Sequence, residues 1–132
     1  MTPTPPPAAE LAAAAEIVRQ QLRVPAYNLA AVAELARFVA VERRELRPKT
    51  EQHQAVVTAL GCFLGECLVQ TYGAEWAAGP GGATGVGLAG QLFFNPFYLV
   101  ERHLNQGEEA SVLAFFQSVP ARLAARAAPR KG

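Results

Sequence analysis

A long apolar segment between a capping residue and a glycine most constrains how this chain folds. Residues 51–72 follow Thr50, a helix-capping residue type, and precede Gly73, a typical C-terminal stop. On a helical wheel, apolar or small side chains fill nearly the whole circumference, and the remainder holds glutamines, two alanines and Glu66. A helix that is apolar nearly all round is buried on several sides. We therefore expect a central buried helix over residues 51–72.

Two glycines, Gly61 and Gly65, lie four residues apart within this segment. Each costs about 1 kcal/mol of helix stability relative to alanine. Their spacing removes side chains from one strip of the helix, so that another backbone can approach closely. We expect the glycine-rich segment that follows the helix to lie there.

That glycine-rich segment predicts one antiparallel β-hairpin over residues 75–94. A Gly-Pro-Gly-Gly turn at residues 79–82 separates a short first strand from a second strand. In the second strand Val86, Leu88, Leu92 and Phe94 alternate with other residues, which is typical of one buried face. The alternating residues are Gly87, Ala89, Gln91 and Phe93. Gly90 inside this strand indicates a β-bulge or a close backbone contact.

Capping residues and apolar spacing predict helices on both sides of this core. The first runs over residues 8–23, and the second follows Asn28 as far as about residue 46, with Leu29 and Val32 among its inward residues. Asn95 and Pro96 open another helix, stopped by Gly107. Glu108 and Glu109 start a further helix that ends at Pro120, and a last short helix covers residues 121–127. The predicted fold class is α+β, mainly α, with five to six helices around the central one.

Length and composition indicate a single domain. The chain has 132 residues, of which 51% are hydrophobic and 17% charged, which excludes a disordered chain. We expect residues 1–7 to be a disordered proline-rich leader, residues 8–127 one globular domain and residues 128–132 a flexible basic tail.

The net charge of +1 argues against a nucleic-acid partner. We found no secretory signal and no run of apolar residues long enough to span a bilayer, so we expect a cytoplasmic protein without a membrane partner.

Motifs that would bind a cofactor or a metal are weak in this chain. Residues 85–90 match G-x-G-x-x-G. Dinucleotide binding requires a buried strand before this motif and a long helix after it, whereas here a glycine-rich turn precedes it and no long helix follows. His53 and His103 belong to no metal-binding spacing. Cys62 and Cys67, five residues apart on one helix, are too distant for a disulfide and are interpreted as reduced packing residues. We expect neither cofactor nor metal.

Five residues form a candidate pocket: Glu66, Glu75 and Trp76, with Arg102 or His103 as further members. Two carboxylates near an aromatic ring could work as an acid and base pair or hold a ligand. The alternative is a solvent-facing Glu66 and a Glu75 paired with Arg102. The sequence does not fix the distance between Glu66 and Glu75.

Four apolar residues fall outside the core stripes of their helices: Phe38, Val41, Leu99 and Leu113. An exposed apolar patch larger than a few hundred Å² marks an interface. These residues are therefore candidates for contact with a protein partner or with a second copy of the chain.

Several short motifs together are similar to a group of small bacterial domains of unknown function. The runs LGCFLGECLVQTYGAEW, NPFYLVERHLNQGEE and SVLAFFQSVP, with the glycine-rich hairpin between the first two, resemble an outline LG-x-x-LGE, G-x-x-W, NPF, V-x-x-R. The resemblance covers residues 27–120. It implies a compact helical domain with a hairpin, and it brings no activity with it.

The sequence favours a non-enzymatic protein-interaction module, acting as a homodimer or with another protein. The alternative is a small hydrolase or ligand-binding protein that uses the Glu66, Glu75 and Trp76 pocket.

Overall fold

The computed structural model describes residues 7–45 and 50–127. This part of the chain has a mainly helical α+β fold, with five α-helices and a small three-stranded antiparallel sheet. The elements are α1 (Ala8–Leu22), α2 (Leu29–Glu45), α3 (Glu51–Tyr72), β1 (Glu75–Ala78), β2 (Thr84–Leu88), β3 (Leu92–Phe94), α4 (Pro96–Gln106) and α5 (Val112–Ala127). The predicted tail and all of the predicted leader except Pro7 lie outside the described residues.

The central position predicted for α3 is confirmed. This helix packs mainly against α1 and α4, and every residue from 60 to 68 is buried. Phe63, Leu64 and Leu68 are each at most 1% exposed. Burying each of these side chains stabilises the fold by about 1.5–3 kcal/mol. The rest of the molecule is therefore arranged around α3.

Helix ends follow the local signals of the sequence. The side chains of Asn28, Thr50 and Asn95 each accept a hydrogen bond from the backbone N–H three residues later, at 3.0–3.1 Å. Gly73 ends α3 in the left-handed conformation. Leu29, expected to face the core, is instead 45% exposed. It is the first residue of α2, and Ala31 is buried in its place.

The predicted hairpin is a three-stranded sheet, in the order β1-β2-β3. Ala89 and Gly90 form a turn, both with positive φ, that splits the predicted second strand in two. Gly90 is therefore a turn residue and not a bulge. The connection has three residues, so that Leu88 pairs with Leu92 on one face. The alternation of apolar residues continues unbroken through the turn, which is why the sequence looked like one strand.

The last helix does not end at Pro120 as predicted. Helix α5 continues through this proline to Ala127. Proline removes the N–H that would bond to the carbonyl of residue 116, four positions earlier. The Tyr72 hydroxyl donates to that Phe116 carbonyl at 2.7 Å. A side chain of α3 thus donates to this carbonyl in place of the missing backbone N–H where α5 passes Pro120.

The helix predicted to start at Glu108 and Glu109 is also wrong. Residues 107–110 form a single 3₁₀ turn, and α5 begins at Val112. Ser111 is the residue that caps α5, since its Oγ accepts from the N–H of Ala114 at 3.3 Å. The acidic residues that suggested a helix start therefore belong to the turn before the helix.

From the sequence we expected no membrane-spanning segment because no unbroken apolar run is long enough, but by length and mean composition α3 could cross a membrane. An 18-residue window of it has a mean hydropathy of 1.4, and 56% of that window is buried inside the fold. A core helix passes the same test, so this property alone assigns no location.

Candidate functional site

Aromatic rings, and not a backbone, occupy the glycine strip of α3. The ring of Trp76, on β1, lies where a side chain at residue 65 would be, and the ring of Phe97, on α4, lies where one at residue 61 would be. The two rings are 6.2 Å apart, centroid to centroid. The expected close approach is present, but it is made by side chains of two different elements.

Glu66 is buried and holds one of these rings in place. It is 9% exposed, although the helical wheel placed it on the polar remainder. One carboxylate oxygen accepts from the Trp76 indole N–H at 3.2 Å, and the other accepts from the Gln70 amide at 3.2 Å. The alternative of a solvent-facing Glu66 is therefore wrong. The carboxylate fixes the indole above Gly65.

Glu66, Glu75 and Trp76 line one open groove of about 540 Å³. Its opposite wall is the start of α1, where the small side chains of Ala8, Ala9 and Ala12 leave room. Glu75 is exposed at the groove edge. The sequence grouped these three residues without fixing the distance between Glu66 and Glu75. It gave no sign that α1 would form the opposite wall of the groove.

Arg102 and His103 lie away from this groove. Arg102 lines a separate cleft beside α5, so the alternative pairing with Glu75 is not formed. His103 is 1% exposed, and its Nδ1 accepts the N–H of Val112 at 3.3 Å. Burial, helped by the charge of Arg43, lowers the pKa of His103, while Glu108 opposes this shift. The five candidate pocket residues thus divide into three that converge and two that do not.

The candidate interface residues also divide. Phe38 is 36% and Val41 is 51% exposed on α2. Leu99 and Leu113 are half-buried and pack against the core. Of the four candidates, Phe38 and Val41 are therefore the two that expose apolar surface, and Leu29 at the start of α2 exposes further apolar surface on the opposite side of the helix.

Phe38 also forms one wall of an apolar groove of about 200 Å³ between α1, α2 and α3. We call this feature the α2 groove. Its other walls are Val18, Gln21 and Leu22 of α1 and Gln52, Ala55, Val56, Ala59 and Leu60 of α3.

Sequence reasoning missed Ile17, a third exposed apolar residue near the α2 groove. It is 60% exposed on α1, one turn before the groove residue Gln21. The available signal was its position outside the predicted α1 stripe, which contains Val18 and Leu22.

The cysteines and the glycines of the G-x-G-x-x-G run are explained by packing or by a turn. Both cysteines are free and buried, and burial raises the pKa of each thiol. In the G-x-G-x-x-G run, Gly85 faces the ring of Phe93 and Gly90 belongs to the turn. Within residues 7–45 and 50–127, no three His, Cys, Asp or Glu side chains form a group that could hold a metal ion.

Comparisons with known proteins gave no match to any protein-family model, curated protein or solved structure. The resemblance to small bacterial domains remains an expectation from the sequence.

Proposed function

We propose that this protein is a non-enzymatic interaction domain that pairs with a second copy of itself through α2. The observation that carries the proposal is the exposure of Phe38 and Val41, one turn apart, beside the apolar α2 groove. Exposed aromatic and aliphatic side chains next to an apolar recess are typical of the centre of a protein interface.

The charges around these two residues favour a second copy as the partner. The exposed or half-buried charged residues of α2 are Glu34 and Arg37 before the apolar pair, and Glu42, Arg43, Arg44 and Glu45 after it. Each end of the helix therefore carries equal numbers of positive and negative groups. When two copies of α2 lie antiparallel about a twofold axis, each end meets the other end, and opposite charges can face each other.

The whole-chain charge is compatible with self-association. The net charge of +1 gives two copies little mutual repulsion. The α2 groove also offers each copy an apolar recess for side chains of the other. Self-pairing would remove from water the apolar surface that α2 exposes in the single chain.

Sedimentation equilibrium of the full chain over a concentration series tests this proposal. We expect a dimer for the native protein and a monomer for Phe38→Glu and Val41→Glu, because each places a charge at the centre of the interface. Leu29→Glu is the matched control. Leu29 is exposed on the same helix but lies on its opposite side from Phe38, so this variant should remain dimeric.

A native protein that stays monomeric up to about 1 mM would overturn self-pairing, since dissociation weaker than this corresponds to less than about 4 kcal/mol. Equal weakening of the dimer by Leu29→Glu would also contradict it. Circular dichroism of each variant separates a lost interface from a lost fold.

A second candidate function is binding of a small cationic ligand in the groove of Glu66, Glu75 and Trp76. It is favoured by the convergence of two carboxylates and an indole on one surface. We favour binding over hydrolysis because both oxygens of Glu66 already accept hydrogen bonds.

An NMR titration with benzylamine tests this second candidate. Saturable shifts at Trp76 that Glu75→Gln abolishes would support it. Unchanged shifts in that variant would remove it. From the sequence alone, we also propose that the protein is cytoplasmic and that it belongs to the group of small bacterial domains named above.

A further inference from the structure

The cleft that Arg102 lines has a volume of about 310 Å³ and lies between α4, the 3₁₀ turn and α5. We call it the arginine cleft, because Arg102 of α4 and Arg122 of α5 both line it. Leu99, Phe115 and Ala114 contribute apolar surface, and Glu109 is the acidic residue among its lining. This combination of two guanidinium groups and an apolar floor is independent of the α2 groove.

Arg122 is exposed, and a hydrogen bond and a ring contact orient its guanidinium group. Its Nε donates to Ser118 Oγ at 2.7 Å, and Ser118 Oγ in turn donates to the Phe115 carbonyl at 2.6 Å. The guanidinium carbon lies 5.4 Å from the centre of the Phe115 ring. Two contacts therefore orient the guanidinium before any ligand arrives, which lowers the entropy cost of binding. Its two terminal nitrogens form no hydrogen bond within the described residues.

Arg102 forms no ion pair or hydrogen bond with any described residue. By contrast, Arg19 and Arg37 each pair with a glutamate on their own helix. Arg102 is half-buried in the cleft wall, and Glu109 lies in the same cleft without reaching it. A positive group that is partly removed from water and has no partner favours an anionic ligand.

The charge and surface of the cleft indicate which anion. Two arginines and one glutamate give a local charge of +1, which matches one carboxylate better than a phosphate dianion. Leu99 and Phe115 offer contact to an apolar body. We propose that the arginine cleft binds a small organic monocarboxylate with an apolar or aromatic body, with Arg102 and Arg122 contacting the carboxylate.

The test is an NMR titration of the full chain with phenylacetate, followed through the backbone amides of the cleft. We expect saturable shifts at Ala110, Ala114 and Phe115, with a dissociation constant in the millimolar range that is usual for so small a ligand. Arg102→Gln and Arg122→Gln should each weaken binding about tenfold, which corresponds to about 1.4 kcal/mol. Arg126→Gln, one turn along α5 and outside the cleft, should leave binding unchanged.

Two further probes separate the parts of the proposal. 2-Phenylethanol, which lacks the charge, and inorganic phosphate, which lacks the apolar body, should each bind at least about tenfold more weakly. Binding of phosphate as tight as that of phenylacetate would overturn the proposed ligand class. Absence of saturable shifts, or equal affinity in Arg102→Gln and the native chain, would overturn the site. Because the cleft is separate from α2, these outcomes do not depend on whether the protein dimerises.

Discussion

At the scale of single residues, the glycines of α3 are explained by what lies against them. A Cβ at residue 65 would overlap the indole of Trp76, and the hydrogen bond from that indole to Glu66 keeps the ring there. The loss of helix propensity at Gly65 is therefore offset by the burial of a large aromatic side chain. Gly61 has the same relation to Phe97.

Gly65→Ala should destabilise the protein by about 2 kcal/mol, because the new methyl group forces the ring to move and overpacked cores lose 1–3 kcal/mol. This loss should exceed the gain of about 1 kcal/mol in helix propensity. Urea denaturation measures the difference. At the exposed position Ala55 of the same helix, the reverse change Ala55→Gly should cost about 1 kcal/mol.

The ring itself supplies the control for this prediction. In a Trp76→Ala background the space above residue 65 is empty, so Gly65→Ala should no longer destabilise. If the substitution costs the same with and without the indole, the indole is not the reason for the glycine.

At the scale of elements, the sequence predicted what local signals determine. The limits of α3, the caps at Thr50 and Asn95 and the stop at Gly107 each depend on side chains within a few residues of the helix end. The wrong predictions have two causes: a contact with a residue distant in the chain, or a turn that keeps the two-residue spacing of apolar side chains. The turn at Gly90 preserved the alternation of the strand. Where α5 continues through Pro120, the Phe116 carbonyl accepts a hydrogen bond from Tyr72, which lies 44 residues away in the chain.

A double-mutant cycle tests whether the Tyr72 hydroxyl substitutes for the backbone N–H that Pro120 lacks. Tyr72→Phe should cost about 1–3 kcal/mol, since it leaves the Phe116 carbonyl without a donor. In a Pro120→Ala background, the restored N–H of residue 120 can donate to that carbonyl, so the same change should cost about 1 kcal/mol less. Chemical denaturation of the four proteins gives the coupling energy.

Tyr98→Phe is the matched control for this cycle, because Tyr98 is 57% exposed and its hydroxyl makes no hydrogen bond among the described residues. It should leave stability unchanged in both backgrounds. An equal cost of Tyr72→Phe with proline or alanine at position 120 would mean that the hydroxyl does not replace the missing amide.

At the scale of the whole molecule, the sequence could not show which surfaces meet. The α2 groove needs three helices, and the arginine cleft needs α4 and α5 to bring Arg102 and Arg122 into the lining of one cleft. Which residues of different helices meet in one groove depends on how the helices pack, and the periodicity of the sequence does not encode this. Glu66 and Trp76 are an intermediate case, since they are ten residues apart and the sequence placed them in one pocket without their hydrogen bond.

The lowered pKa values of Glu16 and His103 predict how stability depends on pH. The N–H groups of Arg19, and then the Tyr27 hydroxyl, hold the pKa of Glu16 at about 2, below its ordinary value of 4.5. The unfolded chain therefore binds this proton first, and the stabilisation from Glu16 is complete above pH 4.5 and is lost as the pH falls toward 2. Glu16→Gln should remove this part of the acid sensitivity.

His103 acts at higher pH. Its folded-state pKa is lowered, mainly by burial, from the ordinary value of 6.5, so the unfolded chain again binds the proton first. Its stabilisation is complete above pH 6.5 and decreases as the pH falls below that value, because protonation of Nδ1 breaks the bond from the Val112 N–H. We expect the free energy of unfolding, measured by urea titration from pH 8 to pH 5, to decrease over this interval. In His103→Gln, whose amide oxygen can accept the same N–H, this decrease should be smaller; an unchanged pH profile in that variant would exclude His103 as its cause.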